Sequence, residues 1–233
     1  MTEFEGENAL QKDQLFHYYY LLKRRLREKG IISTIGFYQK RIQKMLFSRR
    51  KFGRWDLCIC PDAQLAGIQN MKIGRNFSAA RGLWMETIES YGESDQLQFF
   101  KPELIIGDNV SFSEYVHIGC VNHIQIGNNV LLGSKIYITD HNHGIYRGQY
   151  PDKPDVPPRL RKLTTDEPVI IEDNVWIGEF CTILPGVTIG YGSIIGTHST
   201  VTHDIPPYSI AVGSPAKVVK QWDKKNEIWK ALV

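Results

Sequence analysis

From Ile171 onward an aliphatic residue recurs at every sixth position: Ile171, Ile177, Ile183, Ile189, Ile195 and Val201. Four places after each of the first five stands a small residue, in turn Val175, Cys181, Val187, Ser193 and Ser199, and Gly follows the aliphatic residue at Gly178, Gly190 and Gly196. A six-residue period suits neither the 3.6-residue helix nor the two-residue strand. It predicts a parallel β-helix of hexapeptides, in which each hexad supplies one short flat side and one corner. The recurring aliphatic side chain points inward and stacks on its copy one coil away, about 4.8 Å along the axis. The same period runs through Ile106, Phe112 and Ile118 and, after a two-residue slip, through Ile126, Leu132 and Ile138, with a weaker match at 73–77. Asn109, Asn129 and Asn174 fall at corners, where left-handed backbone is needed and Asn tolerates it.

Residues 143–168 break this rhythm with Pro151, Pro154, Pro157, Pro158 and many charges, and read as a loop (144–167) ejected from one corner. Loops of that length in a compact domain usually serve function. Residues 12–50 read as helical, with Leu15, Tyr18, Tyr19, Leu22 and Leu26 at three- and four-residue steps, a break at Gly30 and a second helix from Ile35 to Phe47. The chain therefore divides into a helical segment (1–56), a mainly β solenoid (57–221) and a short C-terminal helix (222–233).

Composition refines the picture in two respects. The net charge of +3 conceals an asymmetry: between Lys23 and Arg54 stand 12 basic residues and one acid, Glu28, a net +11, which leaves −8 for the remainder. Such a split suggests either that residues 12–54 meet an anionic surface, a membrane and not nucleic acid, or that they form a solvated helix face within an oligomer whose apolar stripe caps the first coil. No apolar run reaches the roughly 18 residues of a membrane span, and the polar N-terminus does not read as a signal peptide. Cys58, Cys60, Cys120 and Cys181 are too scattered for a zinc motif and suit a reducing compartment, so a cytoplasmic protein is expected.

The segments 138–143 (ITDHNH), 175–178 (VWIG), 184–186 (LPG) and 205–217 (IPPYSIAVGSPAK) resemble the hexapeptide-repeat acetyltransferases. The nearest branch is that of galactoside and maltose acetyltransferases and bacterial polysaccharide O-acetyltransferases. The resemblance spans about 65–220. It implies a left-handed coil, a homotrimer with sites between subunits, acetyl-CoA as co-substrate with no metal, and a carbohydrate hydroxyl as acceptor.

The resemblance aligns His141 with the family's catalytic histidine, and a neutral imidazole suits the removal of a hydroxyl proton near neutral pH. His143 is the rival base. Asp140, adjacent in sequence, is expected to point away from His141 and toward the acceptor. Glu114, Tyr115 and His117 fall where relatives line the acceptor pocket, although the residue types differ, and a structural His117 stays an open alternative. Trp176, Gly178, Gly196 and Thr197, on successive coils in matching phase, form the expected acetyl-CoA wall, with Lys217 and Lys220 placed to meet its phosphates. Other readings are N-acetylation of an amino-sugar, a carbonic anhydrase-like zinc protein using His117, His141 and His143, and a non-catalytic scaffold.

Overall fold

The computed structural model describes residues 3–93, 97–164 and 167–232, with side chains in the first helix from Tyr19 onward, so Leu15 and Tyr18 of the expected stripe lie outside that description. From Cys58 the chain winds as a left-handed parallel β-helix, the reverse of the usual crossover hand. Face one stacks Cys58–Ile59, Ser78–Ala79, Ser111–Phe112, Leu131–Leu132, Trp176–Ile177, Ile194–Ile195 and Ser209–Val212. Face two stacks Gln64–Ala66, Trp84–Thr87, His117–Cys120, Tyr137–Thr139, Thr182–Ile183 and Thr200–Val201. Face three stacks Met71–Ile73, Glu103–Ile106, His123–Ile126, Val169–Ile171 and Thr188–Ile189.

Register confirms the origin of the six-residue period. Ile106, Ile126, Ile171 and Ile189 are successive partners on face three, and Met85, Ile118, Ile138, Ile183 and Val201 on face two. The small residues Val175, Cys181, Val187, Ser193 and Ser199 are all buried between these columns. Ser193 Oγ donates to Pro206 O at 2.8 Å and Ser199 Oγ to Gly196 O at 2.7 Å, so neither hydroxyl is left unpaired in the narrow interior. Asn76, Asn109, Asn129 and Asn174 hold one corner with φ between 57° and 60°.

Three features depart from the pattern read in the sequence. The coil begins at Cys58, where the solenoid is expected, but with a slip the sequence reading lacks: Ile59 and Leu65 stand six apart, and after two extra residues Ile73, Ala79 and Met85 resume the spacing in the same columns. A second excursion leaves between faces two and three, where Ser90–Tyr91 pairs antiparallel with Gln98–Phe99. The expected C-terminal helix is instead a hairpin, Lys217–Asp223 with Ile228–Ala231, that continues face one antiparallel to Ser209–Val212. The reason is local. Val218, Val219, Trp222, Ile228 and Trp229 favour strands, Trp222 and Trp229 are cross-strand partners with rings 5.4 Å apart, and Asp223 Oδ1 accepts from the N–H groups of Lys225 and Asn226 to close the turn.

The arm is helical over Glu3–Phe52 with a joint at Gly30, whose φ of 76° only Gly adopts at no cost, so the second helix starts earlier and runs further than Ile35 to Phe47. Its last turns close the open end of the solenoid. Phe47 and Phe52 pack on the core, and buried Ser48 accepts a hydrogen bond from Ile59 N at 3.1 Å. Every solenoid must cover its terminal coil in some such way.

Candidate active site

On face two the inward side chain Ile138 leaves Tyr137 and Thr139 facing out, and the chain turns immediately afterward into the long loop. His141 therefore folds back over the preceding coil. A Cβ on Gly119 would lie 3.3 Å from His141 Cε1, so the bare glycine leaves room for the ring. His141 Nδ1 lies 3.1 Å from Asp140 Oδ1 and 3.1 Å from Thr139 Oγ1, and its side chain is only 9% exposed.

Asp140 corrects the expectation that it faces the acceptor. It is fully buried, accepts from the N–H groups of Val121 and Asn122 at 2.9 and 2.8 Å, and receives the Cys120 thiol at 3.4 Å. Burial opposes its charge, but the bond to His141 and the two backbone donors outweigh it and hold the carboxyl below the usual range. An ionised carboxylate only accepts, so the proton sits on Nδ1 and leaves Nε2 with its lone pair. Because the folded pKa is depressed, the stability this charge contributes is present above the ordinary carboxylate value and is lost only as pH falls through the lower folded one. Burial, then Asp140, pushes the Cys120 thiol up, so it stays protonated.

His143 has entered the loop. Its Nδ1 lies 3.0 Å from Tyr91 Oη, and its ring centroid is 6.3 Å from that of His141. Burial, then the neighbouring imidazole of His141, lowers its pKa. Tyr91 also donates to Arg159 O at 2.9 Å, and Gln98 exchanges two hydrogen bonds with the backbone of Leu163, so the short hairpin and the long loop brace each other beside His141. His117 faces outward, stacked on Trp84 at 4.0 Å with Tyr137 on its other side, its Nε2 3.4 Å from Glu86 Oε1. Glu86 is in register with Gly119 and reaches within 3.9 Å of the same vacant Cβ position as His141. Glu114 and Tyr115 sit instead at the corner before face two, where Arg81 pairs with Glu114 and lies over the Tyr115 ring. The width of face two separates them from His141. The described residues of one chain contain no group of three or more His, Cys, Asp or Glu that could hold a metal ion.

The residues expected to meet acetyl-CoA share face one. Trp176, Ile194, Ile210 and Lys220 are successive register partners in one row. In the adjacent row Gly178 and Gly196 follow the paired Ile177 and Ile195, and Lys217 pairs with Val212, whose side chain covers Gly196. A Cβ on Gly178 would meet Thr197 N at 2.8 Å, so the strip is close-packed at the backbone. Trp176, Lys217 and Lys220 are exposed. This strip and His141 lie on different sides of the triangular coil.

Fold, corner histidine and flat glycine strip define a hexapeptide-repeat acyltransferase, and the chain belongs to that family. Residues 168–203 match the family described as bacterial transferase hexapeptide (six repeats). Over 162 residues the chain is 34% identical to an Escherichia coli K12 protein that bears the name lipopolysaccharide biosynthesis O-acetyl transferase WbbJ, covering 69% of this chain and 76% of that one. A Schizosaccharomyces pombe protein named as an acetyltransferase is 40% identical over 49% of this chain, and here the chain spans 54% of the relative's length. Among solved structures, the Bacillus cereus N-acyltransferase AntD, in complex with dTDP-4-amino-4,6-dideoxyglucose and coenzyme A, superposes with a TM-score of 0.57 at 21% identity, over 73% of this chain and 83% of that one. That likeness is one of fold.

Thr139, Gly119, Glu86 and Tyr91 do not stand out in the sequence as site residues. The first two carry a usable signal, because Thr139 and Gly119 are the outward positions two places after Tyr137 and His117. Tyr91 and Glu86 belong to coils and an excursion whose register only the structure displays.

Proposed function

We propose that the protein transfers the acetyl group of acetyl-CoA to a hydroxyl of a sugar in a bacterial surface polysaccharide or its precursor, working in the cytoplasm as a homotrimer. The observation that carries this reading is His141, held by buried ionised Asp140 in the tautomer whose Nε2 accepts a proton. Nε2 takes the proton of the acceptor hydroxyl as its oxygen attacks the thioester carbonyl. The C–S bond then breaks, and the proton passes from the imidazolium to the departing CoA thiolate. The name of the E. coli relative supports a surface-glycan hydroxyl as acceptor, and four unpaired thiols support a reducing compartment. Purified protein would be offered acetyl-CoA with a panel of sugars and lipid-linked glycans, following CoA release and the alkali lability of the product. An alkali-labile ester is expected. An alkali-stable amide would transfer the assignment to an amino-sugar.

The assembly follows from the separation of the two halves. His141 at the edge of face two and the glycine strip on face one cannot meet around one triangular coil, which supports a site built between copies. Light scattering under active conditions is expected to return a trimer, and a stable active monomer would defeat the reading. Trp176→Ala tests the donor side. Loss of an exposed indole at the start of the strip is expected to weaken acetyl-CoA about tenfold or more while the KM for the acceptor holds. Unchanged acetyl-CoA affinity in calorimetry would assign Trp176 to the coil surface.

A further inference from the structure

The second helix of the arm has two apolar sides. Thr34, Phe47, Ser48 and Phe52 turn toward the rest of the protein and are covered in whole or part. Ile31, Ile32, Ile35, Ile42 and Leu46 do not, and are 68, 89, 52, 55 and 51% exposed. At helical spacing these five fall in a sector about 100° wide, centred about 150° from Ser48. The stripe runs for about 24 Å. Lys40, Arg41 and Lys44 of the same stretch project outside that sector, so the stripe itself carries no charge. Exposed cations follow it at Arg49, Arg50 and Lys51, and others, Lys23, Arg24, Arg27 and Lys29, stand on the preceding helix, which turns at Gly30 and packs back so that Arg25 lies over the Phe37 ring.

We propose that this stripe docks onto an anionic lipid surface, lying in the interface with its isoleucines among the acyl chains and the flanking cations at the headgroups. Apolar side chains on one helical sector, with Lys and Arg bordering it, are what interfacial attachment requires. No helix among the described residues is long and apolar enough to cross a membrane, so the arm lies on the surface. Charge decides against the competing occupant, the same stripe of another copy. Each arm between Lys23 and Arg54 carries a net +11, so bundled arms repel one another, whereas anionic lipid neutralises them. Tyr19 and Tyr20, both more than half exposed, add aromatic groups of the kind that settle at headgroup depth. The inference is independent of which acceptor is acetylated.

Full-length protein would be sedimented with vesicles of phosphatidylcholine alone and of phosphatidylcholine mixed with phosphatidylglycerol, at low and high salt. Binding to the anionic vesicles at low salt is expected to exceed that to neutral ones about tenfold or more, and to weaken as salt shortens the Debye length. The double variant Ile35→Asp, Ile42→Asp and the triple variant Arg27→Gln, Arg50→Gln, Lys51→Gln should each lose most of that binding while keeping the wild-type size in light scattering and acetyl-CoA turnover. Three results would overturn the proposal: no sedimentation with anionic vesicles at low salt, binding unaffected by the isoleucine substitutions, or an isoleucine variant that dissociates into smaller species. The last would give the stripe to another copy of the chain.

Discussion

His141→Ala is expected to lower the rate of acetyl transfer by ~10²–10⁴-fold, the usual worth of a positioned general base. The fold should survive, because the ring lies over the bare surface of Gly119 and not in the solenoid core. Asp140 would lose one hydrogen-bond donor yet keep those from Val121 and Asn122. Acetyl-CoA affinity should hold, since the glycine strip occupies another face. Asp140→Asn separates positioning from chemistry. The amide is nearly isosteric, but its NH₂ cannot accept from two backbone donors and the ring together, so both the Nδ1–H tautomer and local stability suffer by about 1–3 kcal/mol. Its kcat should fall with little change in KM for acetyl-CoA. Stopped assays of CoA release on the two variants, alongside calorimetry for acetyl-CoA, would check all of this. Turnover of His141→Ala within about twofold of the parent, far inside the range expected for a lost general base, would move the role elsewhere. His143 would be examined next, its Nδ1 beside Tyr91.

The architecture is legible because burial in a solenoid repeats: a side chain that must stack on its copy imposes its spacing on the chain. Ile171 to Val201 show this directly, and the same columns run in register through the structure. The first coils are harder to read because a two-residue slip separates Leu65 from Ile73, and the column residues on either side, Leu65, Ala79 and Met85, change in shape and volume. The C-terminal hairpin escapes a sequence reading since its register depends on an edge that exists only once Ser209–Val212 is in place. At the site, His141 can be named from its motif, yet the direction of Asp140 cannot. Neighbours in an extended strand point to opposite faces, but a corner rotates that relation and lets Asp140 turn inward and meet the imidazole.

Stability offers the second large effect. Gly127→Ala is expected to destabilise the protein by about 1–3 kcal/mol or more, the cost of forcing an extra group into a packed site. Gly127 ends the strand His123–Ile126, where its N–H donates to Ile171 O at 2.7 Å on the next coil. A Cβ there would stand 2.7 Å from Asp173 N and 2.8 Å from Glu172 C, both backbone atoms. Neither can yield alone, because Asn128 N donates to Asp173 Oδ1 and Asn174 N donates to Asn128 O across the same corner. Relief therefore means spreading two coils and stretching a rung of the ladder. Gly36→Ala is the control. It lies in the arm helix with nothing within 4 Å of its vacant Cβ position, so alanine should stabilise by about 0.5–1 kcal/mol through helix propensity. Thermal unfolding of both variants, at one protein concentration and scan rate, should move the midpoint down for Gly127→Ala by about 2–4 °C per kcal/mol and slightly up for Gly36→Ala. A Gly127→Ala protein that melts with the parent would mean the coils part freely at this corner, against the close backbone packing that Asp173 and Glu172 impose there.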